Sequence, residues 1–195
     1  HASFFFKKSR TIKHPFEIEE MKKAIDITKE GIHALLRQMK PMKEYQLESY
    51  FDQAIKYHGA TGYAFPTIAA SGKNACCLHY TENNCDAKDG DLILFDLGAS
   101  YHLYCADISR TFPVNGRFTA RQKQLYNIVL EGQNVVMKAA GIGKTTKELN
   151  QILMDYYAVA LKEIGLIRHP EEVKKHYFHG VSHHIGLDCH DWCLY

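Results

Sequence analysis

Two aspartates and a cluster of histidines are the residues whose types and spacing point to chemistry. Asp96 closes the apolar run Leu92-Ile93-Leu94-Phe95, and Asp107 follows eleven residues later. The run reads as a strand buried on both faces. A carboxylate on such a strand is costly unless positive charge or hydrogen-bond donors meet it. Arg110, a ring of donors and a metal ion are three possible partners, and two carboxylates brought together favour the metal. Gly98-Ala99-Ser100 between them reads as a turn that lets the two segments pair as neighbouring strands.

Four of the twelve histidines fall within residues 179–190: His179, His183, His184 and His190. His179 and His183 are four apart, as in the HExxH zinc helix, but no glutamate follows His179, and Gly180 and Gly186 weaken a helix. Residues four apart also share one face of a strand. The segment is therefore expected to be a strand, with His184 on the opposite face in an ordinary structural role. A histidine cluster flanked by glycines favours function over satisfied core residues, because glycine lets backbone approach closely. His79, between Leu78 and Tyr80, is a weaker candidate.

The elements that must position these groups follow from periodicity. A helix is predicted from Pro15, with Glu17, Glu19 and Glu20 in its first turn, where acids suit the dipole, and with Pro41 stopping it. Its apolar stripe reads Ile18, Met21, Ile25, Ile32, Leu35 and Met39. A second helix, about Glu44 to His58, carries Leu47, Phe51, Ala54 and Ile55. Tyr63 to Cys77 reads as extended chain broken at Ser71-Gly72, continuing through Leu78-His79-Tyr80. Thr119 with Gln122 and Thr145 with Glu148 form capping boxes that open two more helices. A short polar helix is expected over Glu171 to His176. Residues 1–14, basic with some aromatics, read as a lead-in from a preceding domain.

The order helix, helix, strands therefore occurs twice, the second time cut short. It predicts an α+β fold of two pseudo-related ααβ halves, with helices outside and joined sheets within. The partner of the Asp91–Val114 hairpin in the second half is expected beyond Tyr195.

At 195 residues and 46% hydrophobic, the chain holds one sizeable core. A net charge of +2 with interspersed signs gives no case for nucleic acid. No run approaches the roughly 20 apolar residues of a membrane span, and no signal peptide is evident. Cys76, Cys77, Cys85, Cys105, Cys189 and Cys193 contain no CxxC and are read as reduced, buried thiols in a cytoplasm. Zinc ligation by Cys189 and Cys193 is the weaker alternative.

Three segments in order, IAASGKNACCLHYTEN, DLGASYHLYCADISRTFPVNG and HGVSHHIGLDCHD, resemble the metal-dependent Xaa-Pro aminopeptidases (aminopeptidase P) and their relatives the prolidases. The resemblance covers Ile12 to Asp191 and implies the pita-bread fold, with residues 15–195 as a partial catalytic domain. It implies two divalent metals, Mn²⁺ ahead of Co²⁺ or Zn²⁺, held by Asp96, Asp107, His183 and two glutamates that lie beyond Tyr195. By the same resemblance, His190 meets the substrate carbonyl, His79 assists near the leaving imino nitrogen, and His179 and Phe65 wall the proline pocket. The implied reaction is hydrolysis before a proline at the second position of a peptide, by a hydroxide bridging the metals. The implied protein is a cytoplasmic homo-oligomer with peptides as partners. Prolidase, cleaving Xaa-Pro dipeptides, is the alternative within the enzymes. A non-catalytic pita-bread module binding peptides or protein partners is the alternative outside them, although such modules typically lose ligands. Cys189 stands where the family usually has Ile or Val, a change of volume expected to leave the chemistry alone. The family's large N-terminal domain has no counterpart in the sequence.

Overall fold

Apolar spacing and capping chemistry divide the chain into five helices and eight short strands, which a computed structural model describes over residues 2–192, with side chains from residue 4 onward. The helices are α1 (Ala2–Thr11), α2 (Pro15–Arg37), α3 (Glu44–Tyr57), α4 (Ala120–Ala139) and α5 (Thr146–Glu163). The strands are β1 (Met42–Lys43), β2 (Gly62–Tyr63), β3 (Ile68–Ser71), β4 (Asp86–Ala87), β5 (Leu92–Leu97), β6 (Ala99–Tyr101), β7 (Tyr104–Cys105) and β8 (Ile108–Pro113). They belong to two units. One runs through Arg117 and resumes at His184; the other is Phe118–His183.

In the first unit, β5 is the centre of an antiparallel sheet of order β3-β5-β8. Phe95 lies opposite Arg110, and Asp96 opposite Ser109. Successive strand residues face opposite ways, so Arg110 projects from the other face than Asp96. The Asp–Arg alternative for Asp96 is therefore disfavoured by register. The two aspartate segments do pair as neighbours, but Gly98-Ala99-Ser100 is not their turn. The chain makes a second small hairpin there, β6 against β7, whose tip is His102 and Leu103 at φ 46° and 75°.

Helix α2 packs on α3 and on the β6–β7 hairpin. Its buried face is Ala24, Ile27, Thr28, Gly31, Ile32 and Leu35, while Ile18 and Ile25 are exposed. The expected stripe of large residues is thus rotated. A Cβ on Gly31 would overlap the Phe51 ring and stand 2.8 Å from Ile55 Cγ2. Small residues let the helices approach closely, which a search for large apolar residues does not register. Thr28 Oγ1 donates to Ala24 O (2.8 Å) and accepts from Ala99 N–H (2.9 Å), joining α2 to the start of β6. The core gathers Ile27, Leu35, Leu47, Phe51, Ile93 and Phe95, each worth roughly 1.5–3 kcal/mol on burial.

The second unit is a helix pair. Thr119 and Thr145 cap α4 and α5 through the N–H groups of Gln122 and Glu148, as their capping boxes predict. The helices meet at Gly132, where a Cβ would come within 2.9 Å of Leu153 Cδ1. Leu153, Tyr157, Leu161, Ile167 and Val173 form its core. The short helix is 3₁₀, Pro170–Lys175. There Glu172 accepts from the N–H groups of Arg168 and His169 and is held down to about 2, chiefly by the Arg168 bond.

Four local expectations are corrected. The segment of residues 177–190 is not a strand: among the described residues no strand ladders with it, and single hydrogen bonds hold it instead. Leu78-His79-Tyr80 is a turn with His79 at φ 54°, because the Tyr80 hydroxyl is drawn back to Glu44. Cys76, Cys77 and Cys85 are exposed; only Cys105 is buried and Cys189 half-buried, and Cys193 lies outside the described residues. Residues 2–11 form a helix, where the sequence reads only as a basic lead-in. Among the described residues no helix is long and apolar enough to cross a membrane.

Candidate active site

Strand β5 carries Asp96 to its penultimate position, half-buried, where Oδ1 accepts from the Ser109 hydroxyl at 2.7 Å. Beyond it the backbone of Gly98 lies against the Ala106 carbonyl, with no room for a side chain, and 3.1 Å would separate a Cβ from Phe65 Cε1. Ala106 N–H donates to Ala99 O at 3.0 Å. This closure returns the chain beside itself, so that Asp107 follows directly on the contact. Phe65, half-buried, packs at the same place.

Asp107 meets the returning segment. Its Oδ2 accepts from the Cys189 thiol at 3.0 Å. Asp107, His183 and His190 each offer a ligand atom, all within 4.8 Å of one another. His183 is joined by its peptide bond to His184, where the first unit resumes. One carboxylate oxygen and two imidazole nitrogens at that spacing suit a divalent transition ion. Burial, then the hydrogen bond to Asp107 and the charges of Asp107, Cys105 and Asp96, pushes the Cys189 thiol strongly up. Both aspartates are thus felt at one thiol. Cys189 is more than a change of packing volume: its thiol donates to Asp107.

The returning segment is fastened within the first unit. Cys105 N–H donates to Gly186 O (2.8 Å), and Asp191 N–H to His184 O (2.9 Å). Asp191 accepts from Lys13 Nζ at 2.8 Å and from the Trp192 N–H at 2.8 Å, and is also paired with Arg10. Burial raises its pKa, but Lys13, the Trp192 N–H and Arg10 outweigh that and hold it below the usual carboxylate range.

The segment bearing His79 is fastened differently. Glu44, fully buried at the start of α3, accepts from Ser71 N–H (2.8 Å), Ser71 Oγ (2.7 Å), Asn74 Nδ2 (3.1 Å), Tyr80 OH (2.7 Å) and Cys85 N–H (2.9 Å). Burial pushes its pKa up, and these donors bring it below the ordinary value. Asn83 adds a second tie, accepting from Ala69 N–H and donating to Thr67 O, both at 2.9 Å. His79 itself is exposed and stands outside the Asp107–His183–His190 group, as does His179, whose ring lies 5.5 Å from that of Phe178.

Sequence reasoning missed Ser109, Glu44 and Asp191. The first two look like ordinary strand and helix-start residues. Their signal is a polar residue at a register position opposite Asp96, and a set of hydrogen-bond donors (Ser71, Asn74, Tyr80) able to converge on one acid. Asp191 directly follows His190, and the basic residues at Arg10 and Lys13 were its available complement.

Comparison with known proteins places the chain in a family. The model of metallopeptidase family M24 matches residues 19–194. The Xaa-Pro aminopeptidase of Escherichia coli K12 is 36% identical over 194 residues, covering 95% of this chain and 44% of its own. A provisionally assigned aminopeptidase P from Bacillus anthracis superposes with a TM-score of 0.94 at 46% identity, over 96% of this chain and 45% of that one. Zinc-substituted E. coli aminopeptidase P in complex with product gives 0.91 at 36% identity, over 95% and 44%. The chain thus spans less than half the length of these relatives, and it shares the α+β pita-bread fold of the aminopeptidase P structures. It belongs to metallopeptidase family M24.

Proposed function

We propose that this chain is part of the catalytic domain of an Xaa-Pro aminopeptidase, releasing the residue before a proline at the second position of a peptide. The observation that carries the reading is the convergence of Asp107, His183 and His190 on one ligand-sized space. Asp96, Asp107 and His183 would hold divalent metal, with Mn²⁺ the first candidate. Bound there, such ions lower the pKa of water and polarise a carbonyl.

The chain's own residues do the rest. His190, beside Asp107, is placed to donate to the substrate carbonyl oxygen as negative charge develops there. Phe65 and His179 are assigned to the walls of the proline pocket, and His79 to the neighbourhood of the leaving nitrogen. Ser109 and Cys189 each donate to one aspartate and fix the direction of its remaining lone pairs. Residues 1–14 are assigned as the join to a preceding domain, residues 15–195 as catalytic, and the protein as a cytoplasmic homo-oligomer.

The test is elemental analysis of the full-length gene product, with hydrolysis of an Xaa-Pro tripeptide and an Xaa-Pro dipeptide under added Mn²⁺. About two metals per chain and release of the tripeptide's first residue are expected. His183→Ala should weaken metal retention by more than about tenfold. Cleavage of the dipeptide alone would assign a prolidase. A folded protein with neither metal nor cleavage would leave a peptide-binding module.

A further inference from the structure

The basic end of α1 and the segment that bears His190 are brought together by an ion cluster whose centre is hidden. The Asp191 side chain is 1% exposed. One of its oxygens meets Lys13 Nζ at 2.8 Å, and the other meets Arg10 Nη2. Arg10 Nη2 also donates to Asp188 Oδ2 at 2.7 Å, so one guanidinium spans both acids that flank Cys189 and His190. Lys13 Nζ turns back to the Arg10 carbonyl, which fixes the two cations relative to each other. The Lys7 ammonium stands 4.4 Å from the centre of the Trp192 ring, the next residue along.

The fit against the backbone is equally tight. A Cβ at Gly186 would overlap the Asp191 carboxylate and lie 2.9 Å from Lys13 Cε. Gly186 in turn accepts from Cys105 N–H, two residues before Asp107. A continuous set of contacts therefore leads from Arg10 and Lys13, through Asp191 and Gly186, to Cys105 at the end of β7, two residues before Asp107.

We propose that the N-terminal helix is a clasp that sets the position of His190 against Asp107, with Arg10 and Lys13 as positioning residues acting through Asp188 and Asp191. Two half-buried cations on one buried carboxylate fix its direction, and a residue adjacent to a carboxylate so fixed loses freedom to drift. Catalytic geometry is sensitive at this scale: a displacement of about 1 Å costs on the order of 100-fold. The part of this proposal that concerns turnover rests on the peptidase reading above; the clasp itself does not.

The test uses the full-length protein with Arg10→Gln, Lys13→Gln and the conservative Arg10→Lys. Arg10→Gln should quicken hydrogen exchange at the amides of Cys105 and Asp191 about tenfold and shift the His190 ring resonances. It should lower kcat about tenfold while KM stays within about twofold and metal content is unchanged. Arg10→Lys, which keeps the charge but not the planar guanidinium whose Nη2 meets both Asp188 and Asp191, should recover part of each. Unaltered exchange and unmoved His190 resonances in both glutamine variants overturn the proposal, as does faster exchange with wild-type kcat. If the wild type cleaves no Xaa-Pro peptide, the peptidase reading fails by itself. The His190 resonances then decide the clasp: moved in Arg10→Gln they support it, and unmoved they overturn it.

Discussion

Glu44 and Asp191 are both buried acids that hold a histidine-bearing segment, yet they are satisfied by opposite means. Glu44 collects five donors, none of them charged, from the 71–85 segment it fastens. Asp191 sits on the segment being fastened and is met by two cations from the far end of the sequence. In the first case the cost of burying a carboxylate is offset by dipoles that fold with it, so the tie is as durable as the local fold. In the second it depends on α1 being in place. The 71–85 segment is thus built in, whereas the 184–192 segment is held by something that can let go.

The sharpest way to break the comparison is at Glu44. Glu44→Ala would take the shared acceptor from five donors, three of them in buried bonds, and should cost about 3–5 kcal/mol of stability in urea unfolding. A loss confined to faster exchange of residues 71–85, with global stability intact, would show that Glu44 is a local tie like Asp191. Next in size is Gly186→Ala, whose Cβ has no space beside Asp191. It should cost about 1–3 kcal/mol and quicken exchange over 184–192 while leaving 71–85 alone. The smallest effect is that of salt. Raising NaCl from about 0.1 to about 1 M shortens the screening length from about 10 to about 3 Å. Exchange over 184–192 should then rise by roughly twofold, the pair being largely buried, and exchange over 71–85 should not change. Equal responses in the two segments would remove the distinction between neutral and ionic ties.

What was legible in the sequence was local. The capping boxes at Thr119 and Thr145 involve residues three apart, and both form as their types dictate. The start of α2 and the end of α3 follow from Pro15 and Gly59 in the same way, whereas α2 ends at Arg37, short of Pro41. Asp96 and Asp107 stood out because a carboxylate at the end of an apolar strand is costly anywhere. The rest depended on partners distant in sequence. The α2 stripe was misassigned because its contact is made by Gly31 and Thr28, which carry no hydrophobic signal but admit Phe51 and bond Ala99. The histidine segment was expected as a strand, since alternation cannot tell a strand from a chain pinned at single points by Cys105 and Asp191. Helix α1 has no acid in its first turn to announce it, unlike α2 and α3. Its basic residues gain meaning only beside acids that follow about 180 positions later, which sequence order hides.

Gly98 has a consequence for how this chain can change. It lies between the two aspartates, and its contact is backbone against the Ala106 carbonyl, with no side chain on either part. The separation of the aspartates is therefore gauged by peptide units, which have no rotamers to choose among and no length to vary. Neighbouring positions can drift in size and polarity while that gauge stays fixed. Any residue larger than hydrogen at position 98 would reset it at once, so the chain has no gradual route from one carboxylate spacing to another.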